Sequence, residues 1–263
     1  EDLDGDRFAF VIQKTGAAEI FLDGNPVGQL GTVSASRDSS QEITRFSNPK
    51  MITIQLSAGT HTFAIRHSDW WALDFPMLAA AVANTSESIG VSIGRYDRII
   101  SRWRQMVRTI STIQMLWGVP FALALIHYFI YLFNRQAKEH LDYGLFAESI
   151  AGMVFFPFQA TWSDSIWLVV LVRSLFKCSL VCSALFGLQF CHRVFDGGIP
   201  VHHRYTKMLV YALCALSLLV PLEAYYLVTI LGFLAMAGIV LRAVIRGRTG
   251  APIVMSGILI LTL

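Results

Sequence analysis

Apolar positions follow two regimes along this chain. Up to about residue 94 they alternate with polar ones over short runs: Phe8, Phe10 and Ile12 in RFAFVIQ, Ile20 and Leu22 in AEIFLDG, Ile52, Ile54 and Leu56 in MITIQLS, Phe63 and Ile65 in THTFAIRH. A period of two puts every second side chain on one face of an extended backbone, so each run predicts a half-buried β-strand. DGNPVG and SAGTH, with their Gly, Pro, Asn and Ser, supply the turns. Short strands at this spacing, with no soluble helix between them, predict an all-β sandwich of jelly-roll type over residues 1–94. About 90 residues is small for such a sandwich, so a further strand or two is expected ahead of residue 1.

After residue 110 the alternation gives way to long apolar runs. Those at 110–133, 143–161, 166–190, 206–222 and 225–241 each approach the roughly 17–25 residues that cross a bilayer as helix. PIVMSGILILTL, at 252–263, begins a sixth run of about a dozen residues, roughly 18 Å of helix against a hydrocarbon core of about 30 Å. The expectation over 110–263 is thus a transmembrane helical bundle with five complete spans and a truncated sixth, in a chain that continues past Leu263. Joining the halves, RYDRIISRWRQMVR and the TI after it place Ile99, Ile100, Trp103, Val107 and Ile110 at helical spacing with Arg between them. Residues 95–109 therefore predict an amphipathic juxtamembrane helix, either lying on an anionic surface or forming the snorkelling start of the first span.

Composition agrees with the pattern. At 54 % hydrophobic and 15 % charged residues, the chain has too little charge for a soluble domain of 263 residues. A net charge of +3 is too small to point to nucleic acid. The placement of that charge is more informative. NRQAKEH carries Arg135 and Lys138, CHRVFDGGIPVHHRYTK carries Arg193, Arg204 and Lys207, and RAVIRGRTG carries Arg242, Arg246 and Arg248, whereas the intervening QATWSDS and PLEA carry none. This alternation is the positive-inside pattern, and it puts the N-terminal domain outside the cytoplasm. Arg95, Arg98, Arg102, Arg104 and Arg108 oppose it locally, but five loops agree with one another, and a folded domain crosses a membrane largely regardless of flanking charge. The acidic opening EDLDGD is no signal peptide, so a leader has been removed or the natural start lies further upstream.

Few residues suggest chemistry. Trp70, Trp71 and Phe75 in HSDWWALDFPM offer a stacking platform for a sugar or other flat ligand; a hydrophobic plug under the sandwich and an anchor at the membrane interface are the competing readings. In the third run, Arg173 and Lys177 stand four residues apart on one helix face, where each charge costs at least about 2.5 kcal/mol to insert. Glu148 in the second run is the candidate counter-ion, giving a polar cluster that serves as a signalling lock, a static ion pair, an ion or proton path, or, for Lys177, a snorkelling contact. His127 reads as a hydrogen-bonded bundle residue, with a proton relay as the alternative, and Cys178, Cys182, Cys191 and Cys214 as small apolar packing groups. His192, Asp196, His202 and His203 fit no recognised zinc spacing, and no phosphate loop or nucleophile elbow occurs, so no metal, cofactor or catalytic residue is assigned and no enzymatic activity is expected within these residues.

Four stretches occur in order: KTGAAEIFLDGNPVGQLGTVSAS, LSAGTHTFAIRHS, GVSIGRYD and GVPFALALIHYFIYLFNRQAKEHLDYGLFA. Their succession resembles the bacterial seven-transmembrane receptors with diverse intracellular signalling modules. That resemblance implies a periplasmic β-sandwich sensor, seven helices in the inner membrane, and a cytoplasmic output module such as a histidine kinase, cyclase or phosphatase beyond these residues. The partners expected are membrane lipid, a periplasmic ligand or protein, the output module and a second copy of the chain. A non-signalling component of an envelope assembly, with the helices acting only as anchor, is the alternative.

Overall fold

The computed structural model of the chain describes residues 7–14, 16–35, 45–57, 59–70, 89–162, 166–201 and 203–254. It divides into two compact units, one of residues 1–113 with 157–173, the other of 114–156 with 174–263.

Among its described residues the first unit holds six strands: β1 (Arg7–Lys14), β2 (Ala17–Leu22), β3 (Asn25–Leu30), β4 (Arg45–Gln55), β5 (Phe63–Ser68) and β6 (Ile89–Arg95). They form two three-stranded sheets, ordered β4-β1-β6 and β3-β2-β5, with every pairing antiparallel. Alternation does its expected work in β4, where Ile52 and Ile54 are buried and Thr53 and Gln55 exposed. With Ile20 and Leu30 they make the buried core of this unit, flanked by Phe8, Leu22, Val27, Leu56 and Phe63. At Gly28, a side chain would collide with Ile52, since an added Cβ would lie 2.1 Å from its Cδ1. Glycine there is what lets the isoleucine seat. Pro26 is tolerated because β3 is an edge strand, where a missing N–H breaks no central ladder.

This is not the jelly-roll sandwich that the strand spacing predicts. A jelly roll needs about eight strands in two Greek keys, and two small three-stranded antiparallel sheets do not supply them. Alternation reports which residues form strands, not which sheet each joins. β1 and β2 are consecutive yet enter different sheets at Gly16, whose φ of +87° suits glycine and whose missing Cβ leaves room for the Ser68 carbonyl.

Asp23 and Gly24, both at positive φ, make the two-residue turn between β2 and β3. Asp23 also ties this turn to β5. Its carboxylate accepts from the Thr62 N–H (2.7 Å) and meets His61 Nδ1 (2.7 Å), while His61 Nε2 lies 2.9 Å from the Ser57 carbonyl. The hydrogen bond to Asp23 raises the His61 pKa above 6.5, and the same contact lowers that of Asp23 below 3.8. The histidine's contribution is complete below 6.5 and is lost as pH rises through its raised pKa. The aspartate's is complete above 3.8 and is lost as pH falls through its lowered one. The clasp is therefore firmest between pH 3.8 and 6.5. An NMR titration should place the His61 midpoint above 6.5 and return it towards 6.5 in Asp23→Asn, with faster exchange of the Thr62 amide.

The helices are α1 (Tyr96–Leu116), α2 (Gly118–Phe133), α3 (Lys138–Trp162), α4 (Ile166–Cys191), α5 (His203–Ala215) and α6 (Leu222–Ile245). A π-helical turn, His192–Asp196, extends α4 and ends at Gly197 in the left-handed region. Among the described residues three stretches are long and apolar enough to cross a membrane: Tyr96–Phe133, Trp167–Asp196 and Leu222–Ile245. Among the described residues the five complete spans are thus corrected to three. The 143–161 run falls within α3, whose apolar residues are diluted by Glu139, Asp142, Glu148 and Gln159. The 206–222 run yields only the 13 residues of α5, about 20 Å of helix, before the backbone turns ahead of Pro221. Most of the 252–263 run lies outside the described residues.

In the second unit α6 turns one stripe inward: Tyr225, Thr229, Gly232, Met236, Ile239, Val240 and Ala243 are buried. A Cβ on Gly232 would stand 2.4 Å from the Ala184 Cβ, and one on Gly187 would stand 2.5 Å from the Met236 sulfur. Small residues here bring α4 and α6 into the close approach that helices need where lipid supplies no hydrophobic drive.

Candidate functional site

Within the second unit, α2, α3 and α4 line a groove of about 460 Å³, in the range of small-molecule sites. Its wall residues recur at helical spacing, Glu148, Gly152 and Phe155 on α3 and Leu175, Cys178, Cys182 and Phe186 on α4, so each helix gives the groove one face. Trp117 closes one side, its ring 5.3 Å from that of Phe121 and 5.2 Å, edge-on, from that of Phe155. Gly152 narrows the helix approach, since a Cβ there would lie 2.5 Å from the Ser179 hydroxyl.

Glu148 is the charged residue of this apolar lining. One of its carboxyl oxygens accepts from the Tyr128 hydroxyl, and among the described residues the other has no protein partner. Lys177 is held elsewhere: buried at 4 % exposure, its ammonium donates to the carbonyls of Ser217 (2.9 Å) and Val220 (3.0 Å) and lies 5.5 Å from the Tyr225 ring centre. The Tyr225 hydroxyl donates to the Leu213 carbonyl (2.6 Å). Arg173 lies half-buried on α4 in the stretch that belongs to the first unit. The structure therefore gives Glu148 and Lys177 separate partners.

A second polar centre lies where α3 begins and α4 ends. Arg193 Nε donates to the buried Asp142 carboxylate at 2.6 Å, and His192 Nδ1 meets Asp196 at 2.8 Å across the π turn. Nearby on α2 and α3, the Nδ1 atoms of His127 and His140 are 2.9 Å apart, with Tyr143 stacked on His127 at 4.2 Å. Of the histidines considered for a metal, His202 lies outside the described residues, and among the described residues no group of three or more His, Cys, Asp or Glu is placed to hold an ion. The Cys214 thiol is within hydrogen-bonding reach of Cys178 and Cys182.

Trp70 is half-buried, and its indole N–H donates to the Ser34 carbonyl at 3.3 Å. Trp71 and Phe75, its proposed companions, lie outside the described residues. No family model, curated protein or solved structure matches this chain.

Sequence alone did not single out the groove, Tyr128 as partner of Glu148, or the Asp142–Arg193 pair. Only the carbonyl ligands of Lys177 left a trace: Pro221 has no N–H to offer the Ser217 carbonyl four residues earlier, so another donor was required.

Proposed function

We propose that the chain is the sensory and transmembrane part of a bacterial inner-membrane receptor, with its β head in the periplasm and its output in a cytoplasmic module. The observation that carries this reading is the join between head and helix. Arg95 still pairs with Phe8 in the sheet, and Tyr96 is already helical. No linker residue separates them. Ile99 packs back over Gly94, where a Cβ would lie 3.3 Å from its Cδ1, so the first turn of α1 is fitted to the end of β6. A displacement of the sheet edge therefore moves the helix, as a receptor requires and a tether does not. The order of motifs in the sequence supports a receptor of the kind it resembles. A carbohydrate or a protein is the ligand class for the head.

Inserting four glycines between Arg95 and Tyr96 in the full natural chain tests the coupling. The expected result is a cell whose transcriptional profile matches that of a head-deleted strain, with normal protein level and membrane insertion. An insertion strain that behaves like wild type, where head deletion has an effect, would assign the helices to anchoring. Impermeant-maleimide labelling of Asn25→Cys should occur from outside the cell; protection there with labelling only after lysis would reverse the orientation.

A further inference from the structure

We propose that the groove between α2, α3 and α4 binds a lipophilic amine, with its ammonium on Glu148 and its alkyl chain along the aromatic walls. This inference is independent of what the β head senses. Two of the three helices lining the groove belong to stretches apolar and long enough to cross a membrane, so the groove lies where amphiphiles partition. The lining is aromatic and aliphatic, with Trp117, Phe121, Phe155 and Phe186 presenting flat apolar surface suited to a methylene chain.

Charge then selects the head group. Glu148 brings a carboxylate into that lining, and among the described residues no Lys, Arg or His lines the groove to balance it. Tyr128 satisfies one oxygen from the side, which fixes the carboxyl plane and leaves the second oxygen available. A carboxylate in an apolar lining with a vacant acceptor oxygen is matched by a cation carrying N–H donors. A fatty acid would set two carboxylates together, and an alcohol would bring one donor and no charge. A primary amine brings three donors and the opposite sign.

The test measures saturable binding of radiolabelled dodecylamine to the full chain in zwitterionic nanodiscs, against empty nanodiscs, with dodecanol and dodecanoate as chain-matched probes. One amine per chain is expected, displaced at least about tenfold less well by dodecanol than by unlabelled amine, and bound at least about tenfold more weakly by Glu148→Gln. Equal competition by amine and alcohol, binding undiminished in Glu148→Gln, or no saturable component above empty nanodiscs would each overturn the assignment. If Glu148→Gln does not fold, the amine-to-alcohol ratio on the natural chain decides alone. Failure here leaves the glycine-insertion result untouched, so the two proposals fall separately.

Discussion

Arg193→Leu should lower the thermal midpoint of the detergent-solubilised chain by on the order of 10 °C, because removing one partner of a buried ion pair costs about 3–5 kcal/mol. The asymmetry of the pair makes this substitution the severe one. The Asp142 side chain is 6 % exposed and that of Arg193 27 %, so an abandoned aspartate has no route to water, whereas an abandoned arginine can extend its head group outward. Asp142→Leu should therefore cost less than Arg193→Leu. The double substitution should recover much of the loss, since an apolar pair of similar volume avoids both desolvation penalties. Melting curves of the four proteins form the cycle. A single-mutant loss below about 1 kcal/mol, or strict additivity of the two, would mean that the 2.6 Å contact contributes little.

That pair joins residues 51 positions apart, from the first turns of α3 and from the π turn after α4. Sequence periodicity cannot see it, because it reports one element at a time. The same limit explains the rest of the comparison. Ile52 and Ile54 were legible as a buried strand face, but their packing with Ile20 and Leu30 depends on two sheets meeting. Apolar runs gave the membrane character and the neighbourhoods of α4 and α6. They did not give where α5 stops, since the break after Ala215 is made by backbone turning ahead of Pro221 within a run that stays apolar. The groove was hidden for a related reason: nothing in the sequence marks Gly152 or Ser179, and their contact appears only when two helices meet.

Lys177→Met should destabilise the chain by about 2–4 kcal/mol, although methionine matches the lysine stem in length and removes a charge from an apolar interior. The reason is what Lys177 holds. Pro221 cannot donate to the Ser217 carbonyl, and the Ala224 N–H is used by the Pro221 carbonyl, so the lysine ammonium is the donor the structure gives to the carbonyls of Ser217 and Val220. Two carbonyls deprived of that donor in a buried site cost about 1–3 kcal/mol each, set against the relief of removing a buried cation. Glu148→Gln separates this account from the ion-pair lock that the sequence suggests. If Glu148 balanced Lys177, both variants would lower the melting point together. With carbonyls as the ligands, Lys177→Met falls by about 2–4 kcal/mol and Glu148→Gln stays within about 1 kcal/mol of the natural chain, since glutamine still accepts from Tyr128. Equal losses in the two variants would restore the lock. A near-neutral Lys177→Met would mean that water reaches the turn before Pro221.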